Sequence, residues 1–225
     1  MKTVLFIFFI CISAIAFTQV LSEDELQLMV KTAQDKSVNA HESVIQRTNE
    51  DFAKSIWGKS VRFNDANIIR FFNHPQGEKV SAGVDIQNNY KGNWAYSYDQ
   101  KTAADLLKSK GVRVTSSYNT LWIIARQDVL YAEVTKNGKK TTLELYCPKQ
   151  EFLEVLRTGQ TQSIEFMITG YTGSLSSTSN IYGVLTQVNT EKQVVKCSNG
   201  HEFDKGLGYK FCPNCGEPLE DPQEL

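Results

Sequence analysis

Three cysteines and a histidine fall within 19 residues near the end of this chain: Cys197, His201, Cys212 and Cys215, spaced C-x3-H-x10-C-x2-C. No other feature restricts the fold as tightly. Side chains of these types at this spacing are joined by a shared metal ion, by disulfide bonds, or as a reactive C-x-x-C pair. Two thiolates separated by two residues reach one ion, and Gly216 after Cys215 permits the tight turn this needs. Cys197 and His201 offer a second pair, with Gly200 in the same role, and Phe203, Tyr209 and Phe211 between the pairs suit the strands of a covering hairpin. About 30 residues bury too little apolar surface to fold alone. Structural zinc contributes about 10–16 kcal/mol in zinc-finger peptides, and a disulfide about 2–4. The redox alternative lacks a helix after the second cysteine, because Gly216-Glu217-Pro218 starts one poorly. Four protein ligands also fill a tetrahedron, whereas a catalytic zinc keeps one position open for water. His201-Glu202 is not part of H-E-x-x-H, since Lys205 stands at the second histidine's place.

This stretch resembles a zinc ribbon, on the Cys212-Pro213-Asn214-Cys215-Gly216 knuckle, the upstream Cys197/His201 pair and the short aromatic-bearing segment between them. It departs from the common pattern in carrying C-x3-H where many ribbons have C-x2-C. The resemblance implies a structural Zn2+ held by Cys197, His201, Cys212 and Cys215, on a module that serves as scaffold or protein contact.

The front of the chain sets a tension with that reading. Lys2 precedes an apolar run of about 14 residues, Val4 to Phe17, and Ala14 and Ala16 offer small residues for cleavage after Ala16. A secretory signal over residues 1–16 predicts an exported protein: periplasmic, secreted, or on the extracytoplasmic face of a membrane. A transmembrane helix needs about 20 apolar residues, so membrane attachment requires an uncleaved anchor extended through Leu21. Export favours disulfides, but thiolates bound to a metal are partly protected from oxidation.

Charge divides what remains. Residues 17–53 hold three basic and seven acidic side chains, residues 54–190 sixteen and eleven, and residues 191–225 four and seven. The middle excess is small for a nucleic-acid binder and suits a mixed soluble surface. Ser22-x-x-Glu25 is a capping box, so a helix is predicted to start there. Val38, His41, Ile45, Phe52 and Ile56 share a helical stripe, which makes His41 a packing residue. From Trp57 the pattern turns to strands. Val80, Ala82, Val84 and Ile86 alternate, as do Trp94, Tyr96 and Tyr98. Thr102 to Lys110 reads as a short helix. Asn137-Gly138 predicts a hairpin turn joining 129–136 to 139–146. A helix from Pro148 to Leu156 and two long strands follow.

The expected class is α+β: a signal segment (1–16), a helical segment (17–56), a β-rich domain (57–190), a zinc ribbon (191–219) and an acidic tail (220–225). The order strand, hairpin, short helix, two long strands is similar to an OB-fold barrel of the anticodon-binding-like type, over about Trp57 to Val188. Trp94, Tyr96 and Tyr98 suit either a stacking platform for single-stranded nucleic acid or glycan, or the packing face of a hairpin. Cys147 has only His41 and His74 as histidine partners and reads as an inert thiol. The sequence lacks a P-loop, G-x-G-x-x-G and G-x-S-x-G. The expectation is a non-enzymatic zinc-binding protein with a protein partner. The alternatives are a nucleic-acid or glycan binder acting through the β domain, and a thiol–disulfide oxidoreductase using Cys212 and Cys215.

Overall fold

Ser22 and Glu25 close the capping box: the Ser22 hydroxyl accepts from the Glu25 backbone N–H at 3.2 Å, and the Ser22 N–H donates to the Glu25 carboxylate at 2.7 Å. Helix α1 (Glu23–Ser37) begins there, directly after a two-residue strand β1 (Leu21–Ser22). The computed structural model describes residues 20–88, 95–173, 178–189, 194–204 and 210–218. The signal-like run 1–16, Trp94, Tyr209 and the acidic tail 220–225 lie outside the described residues.

The stripe from Val38 to Ile56 is not one helix. The chain turns at Asn39, whose φ is 54°, and helix α2 (Glu42–Ile56) starts afresh. His41 is its N-cap, accepting from the Ser43 N–H at 3.3 Å, and it is exposed rather than packed. Ring Nδ1 and a carboxylate or hydroxyl oxygen do the same work at a helix start, which leaves an orphan N–H to satisfy.

Five strands then close a barrel. Strand β2 (Ser60–His74) pairs through its first half with β8 (Thr161–Gly173) and through its second half with β6 (Gln127–Lys136), antiparallel in both cases. Register shifts between Phe63 and Ala66 and between Ile68 and Arg70 bend β2 so that it serves both neighbours. Strand β6 forms the expected Asn137-Gly138 hairpin with β7 (Lys139–Tyr146). Strand β9 (Thr178–Asn189) runs parallel to β7 and antiparallel to β8, completing the circuit β2-β6-β7-β9-β8-β2. Helix α4 (Gln150–Val155) fills the crossing from β7 to β8. Alternation fills the interior with Phe63, Ile68, Leu130, Ala132, Leu143, Leu145, Phe166 and Ile181, all buried.

Between β2 and β6 the chain leaves the barrel and returns, since His74 and Gln127 are register partners. This excursion carries strand β3 (Gly83–Asp85), helix α3 (Gln100–Ser109) and a hairpin of β4 (Val114–Ser117) and β5 (Thr120–Ile123). The expected half-buried strand from Val80 to Ile86 is corrected here. Only Gly83–Asp85 is strand, parallel to β8, and Val80, Ala82, Val84 and Ile86 are all buried. The helices dock on it through buried amides. The Asn49 carboxamide accepts from the Ile86 N–H at 2.9 Å and the Gln34 amide donates to the Ile86 carbonyl at 3.0 Å. One apolar cluster therefore joins Leu26, Val30, Phe52 and Ile56 of the helices to the barrel and the excursion. The fold is α+β, ending in a small two-stranded sheet of β10 (Val194–Lys196) and β11 (Glu202–Asp204). Among the described residues, no helix is long and apolar enough to cross a membrane.

Candidate metal centre

The four predicted ligands come together. One ligand atom from each of Cys197, His201, Cys212 and Cys215 lies within 4.8 Å of every other. Local chemistry explains how. Strands β10 and β11 pair antiparallel, Lys196 opposite Glu202, and so fix the ends of the first turn. Inside it the Gly200 N–H donates to the Cys197 carbonyl at 2.8 Å, and the Cys197 N–H donates to the His201 carbonyl at 3.1 Å. The second turn repeats the device. The Gly216 N–H donates to the Cys212 carbonyl at 2.7 Å, the Cys212 N–H donates to the Glu217 carbonyl at 2.7 Å, and Phe211 bridges Pro218. Gly200 and Gly216 sit at φ 79° and 76°, a region that costs an L side chain its steric freedom. A covering hairpin between the two turns was expected from Phe203, Tyr209 and Phe211. Phe203 lies on β11, which pairs with β10 across the first turn, and residues 205–209 between the two turns lie outside the described residues.

The separations are those of donors around a shared ion rather than of a disulfide bond, which needs sulfurs about 2.05 Å apart. Tetrahedral zinc, with bonds of about 2.3 Å to sulfur and about 2.0–2.1 Å to nitrogen, separates two sulfurs by about 3.8 Å and a sulfur from the nitrogen by about 3.6 Å. Here Cys197 and Cys215 sulfurs are 3.7 Å apart. His201 Nδ1 lies 3.4 Å from the Cys197 sulfur and 3.6 Å from the Cys212 sulfur. All three cysteines are free, with Cys197 and Cys212 buried and Cys215 at the surface. Hydrogen bonds from the Asn199 side chain and the Glu217 backbone bring the Cys215 thiol down to about 6, while desolvation pushes Cys212 upward. The donor set of three sulfurs and one imidazole suits a soft-to-borderline ion such as zinc, and the residues present fit it. No helix follows Cys215 within the described residues, which end at Pro218.

The other predicted site residues fare differently. Tyr98 is 6% exposed, stacks on Trp57 with ring centroids 3.7 Å apart, and donates its hydroxyl to the Ala53 carbonyl. One ring face and the polar tip are thus committed to the fold, and the ring is buried rather than open as a stacking platform. Tyr96 is half-buried against the same ring, edge-on at 5.7 Å, and Trp94 lies outside the described residues. Cys147 is buried, its thiol pushed up to about 12, and it donates to the Leu145 carbonyl.

A second group of side chains is invisible in the linear sequence. Across the outer barrel face, Arg70, Tyr131, Glu144 and Tyr182 are successive register partners on β2, β6, β7 and β9. The Arg70 guanidinium lies over both the Tyr131 and Phe72 rings, at 5.2 and 5.6 Å. Glu144 is half-buried between two tyrosines, and desolvation raises its carboxyl above the usual range. The alternation of β7 hints at this face, but only the register assembles the row.

Compared with protein-family models, with curated proteins and with solved structures, the chain matches none.

Proposed function

We propose that this chain is a non-enzymatic zinc-binding protein in which a zinc ribbon is attached to an OB-like barrel. The observation that carries the reading is the convergence of the four ligand atoms, all within 4.8 Å of one another, with the Cys197–Cys215, Cys197–His201 and Cys212–His201 separations agreeing with a tetrahedral site to within about 0.2 Å. Four protein ligands leave the ion no open position, so its work is to hold two turns together rather than to activate water. The apolar run at residues 4–17 supports export, with metal ligation protecting the thiols in that compartment. The strand circuit supports the OB-like assignment: a three-strand meander, a helix, then two strands of which the last lies parallel to the third. The ribbon's acidic balance favours a protein partner over nucleic acid. Elemental analysis and thiol titration of protein purified from its native compartment test this together. One zinc per chain with no disulfide supports it. A Cys212–Cys215 disulfide without metal would transfer the reading to thiol–disulfide chemistry.

The outer barrel row favours one alternative, a glycan ligand. Arg70 donates, Glu144 accepts, and Tyr131 and Tyr182 offer rings for sugar C–H faces, while Glu133 and Glu144 oppose phosphate. Binding of neutral oligosaccharides that is insensitive to salt would establish it. Oligothymidylate binding that weakens steeply with salt would instead favour nucleic acid.

A further inference from the structure

The two tight hairpins of this chain close differently. The β6–β7 turn uses Asn137-Gly138, the pair best suited to two successive positive φ angles. The β4–β5 turn, closed by the Ser117–Thr120 pair, places Tyr118 and Asn119 at φ 47° and 60°. A tyrosine is poorly suited to that region. It gains nothing from the fold in return, because its side chain is 99% exposed. A strained, fully exposed aromatic at a hairpin tip points away from folding and toward contact.

The face beneath the tip agrees. Leu121 and Ile123 turn into the core, so Trp122 faces outward, half-buried, with Thr115 opposite it and Lys79 bridged on its other side. The Lys79 ammonium sits 5.7 Å over the Trp122 ring. One step further, Ile124 is 48% exposed and its N–H donates to the Arg113 carbonyl. The Arg113 guanidinium is pinned by the Arg126 carbonyl at 2.9 Å. Glu78 points the other way, 3.5 Å from His74. The face thus gathers Tyr118, Trp122 and Arg113, the residue types that dominate binding at protein interfaces, with the cations Lys79 and Arg113 and, apart from Glu78 beside His74, no carboxylate among the residues named. Two or three cations are too few for a nucleic-acid footprint, in which six to ten phosphates are commonly engaged.

We propose that the outer face of the β4–β5 hairpin, with Tyr118 as its anchor and Lys79 and Arg113 beside it, is the docking surface for an acidic segment of a partner protein. This is independent of the metal reading. Its test places a photo-crosslinking phenylalanine at position 118 of the full chain, in the cell of origin, with the same probe at Lys139 beside the other hairpin as control. The expected result is a discrete protein adduct at least about tenfold stronger from 118, mapped to a peptide rich in Asp and Glu. Lys79→Glu or Arg113→Glu, both exposed positions, should each reduce it by about tenfold or more while lowering Tm by no more than about 2–4 °C, the cost of the Trp122 and Arg126 contacts. Tyr118→Asn should raise Tm by roughly 2–4 °C by relieving the turn. Equal adducts from the two probes, an adduct on nucleic acid, indifference to the charge reversals, or a lower Tm for Tyr118→Asn would overturn the proposal.

Discussion

Cys212, buried, and Glu144, half-buried, show how differently two titratable groups act in this chain. Cys212 is a buried member of the cluster that could hold a metal, and its loss would leave three donors for an ion that takes four. Cys212→Ser is expected to weaken zinc binding by at least about a hundredfold, beyond the tenfold to hundredfold typical of losing an outer partner. Competition with a chromophoric chelator measures it. Glu144 has no such compensation. Desolvation raises its folded pKa, with His74 and Arg70 only partly opposing this. A carboxyl whose folded pKa exceeds its unfolded one favours the native state while protonated, and that advantage is lost as pH rises between the two values. Glu144→Gln should therefore melt about 1–3 °C above the parent at pH 7–8. The gap should close as pH falls below about 4, the unfolded range, and thermal melts across that interval would reveal it. A gap that persists at low pH would mean that Glu144 acts through packing rather than charge.

The C-terminal segment that carries the Cys/His cluster, the ribbon of the proposed function, is held by little besides the cluster itself. Among the described residues its backbone hydrogen bonds are few: the short β10–β11 ladder and two turns, each with a glycine at positive φ. Removing metal from the intact protein with a strong chelator should speed amide exchange across residues 194–218 by more than about tenfold, while barrel strands β7 and β8 keep their protection. Hydrogen–deuterium exchange with mass spectrometry resolves the two regions. The ribbon was also the most legible element in the sequence, because its ligands and turn glycines lie within 19 residues and need no distant partner. The capping box at Ser22 and the Asn137-Gly138 turn were readable for the same reason. Strand β2 was not. Asn64, Asp65, Asn67, Arg70 and Asn73 interrupt its apolar positions, and two register shifts break the period of two that identifies a strand. Its pairing with β8 lies about a hundred residues away, as in Phe63 opposite Ile164, where no local pattern reaches. The same limit hid the Arg70–Tyr182 row and the burial of Tyr98 on Trp57. An aromatic stripe looks alike whether it faces a ligand or another ring.

At the scale of the whole molecule, the helices and the barrel share one interior. Leu26 and Val30 of α1 and Phe52 and Ile56 of α2 belong to the same apolar cluster as Phe63, Phe166 and Tyr171. Phe52 meets the Tyr171 ring edge-on at 5.5 Å, and the Asn49 and Gln34 amides hold the Ile86 backbone at both its N–H and its carbonyl. Separating the helices from the barrel would strip these buried amides of their partners as well as expose the apolar faces, so partial unfolding at this seam is costly. Helical ellipticity and the near-ultraviolet signal of the barrel tyrosines should consequently be lost in one transition at one temperature. Phe52→Ala leaves a cavity at the seam and is expected to cost about 3–5 kcal/mol. For a chain of this size that lowers Tm by about 6–20 °C, and both signals should move together. Metal removal should move neither, because none of the described residues of the ribbon contributes a side chain to this cluster. If Phe52→Ala instead splits the melt, with helical signal lost first, then α1 and α2 fold as a separate unit and the barrel's own closure, β2 to β8, is enough to sustain it.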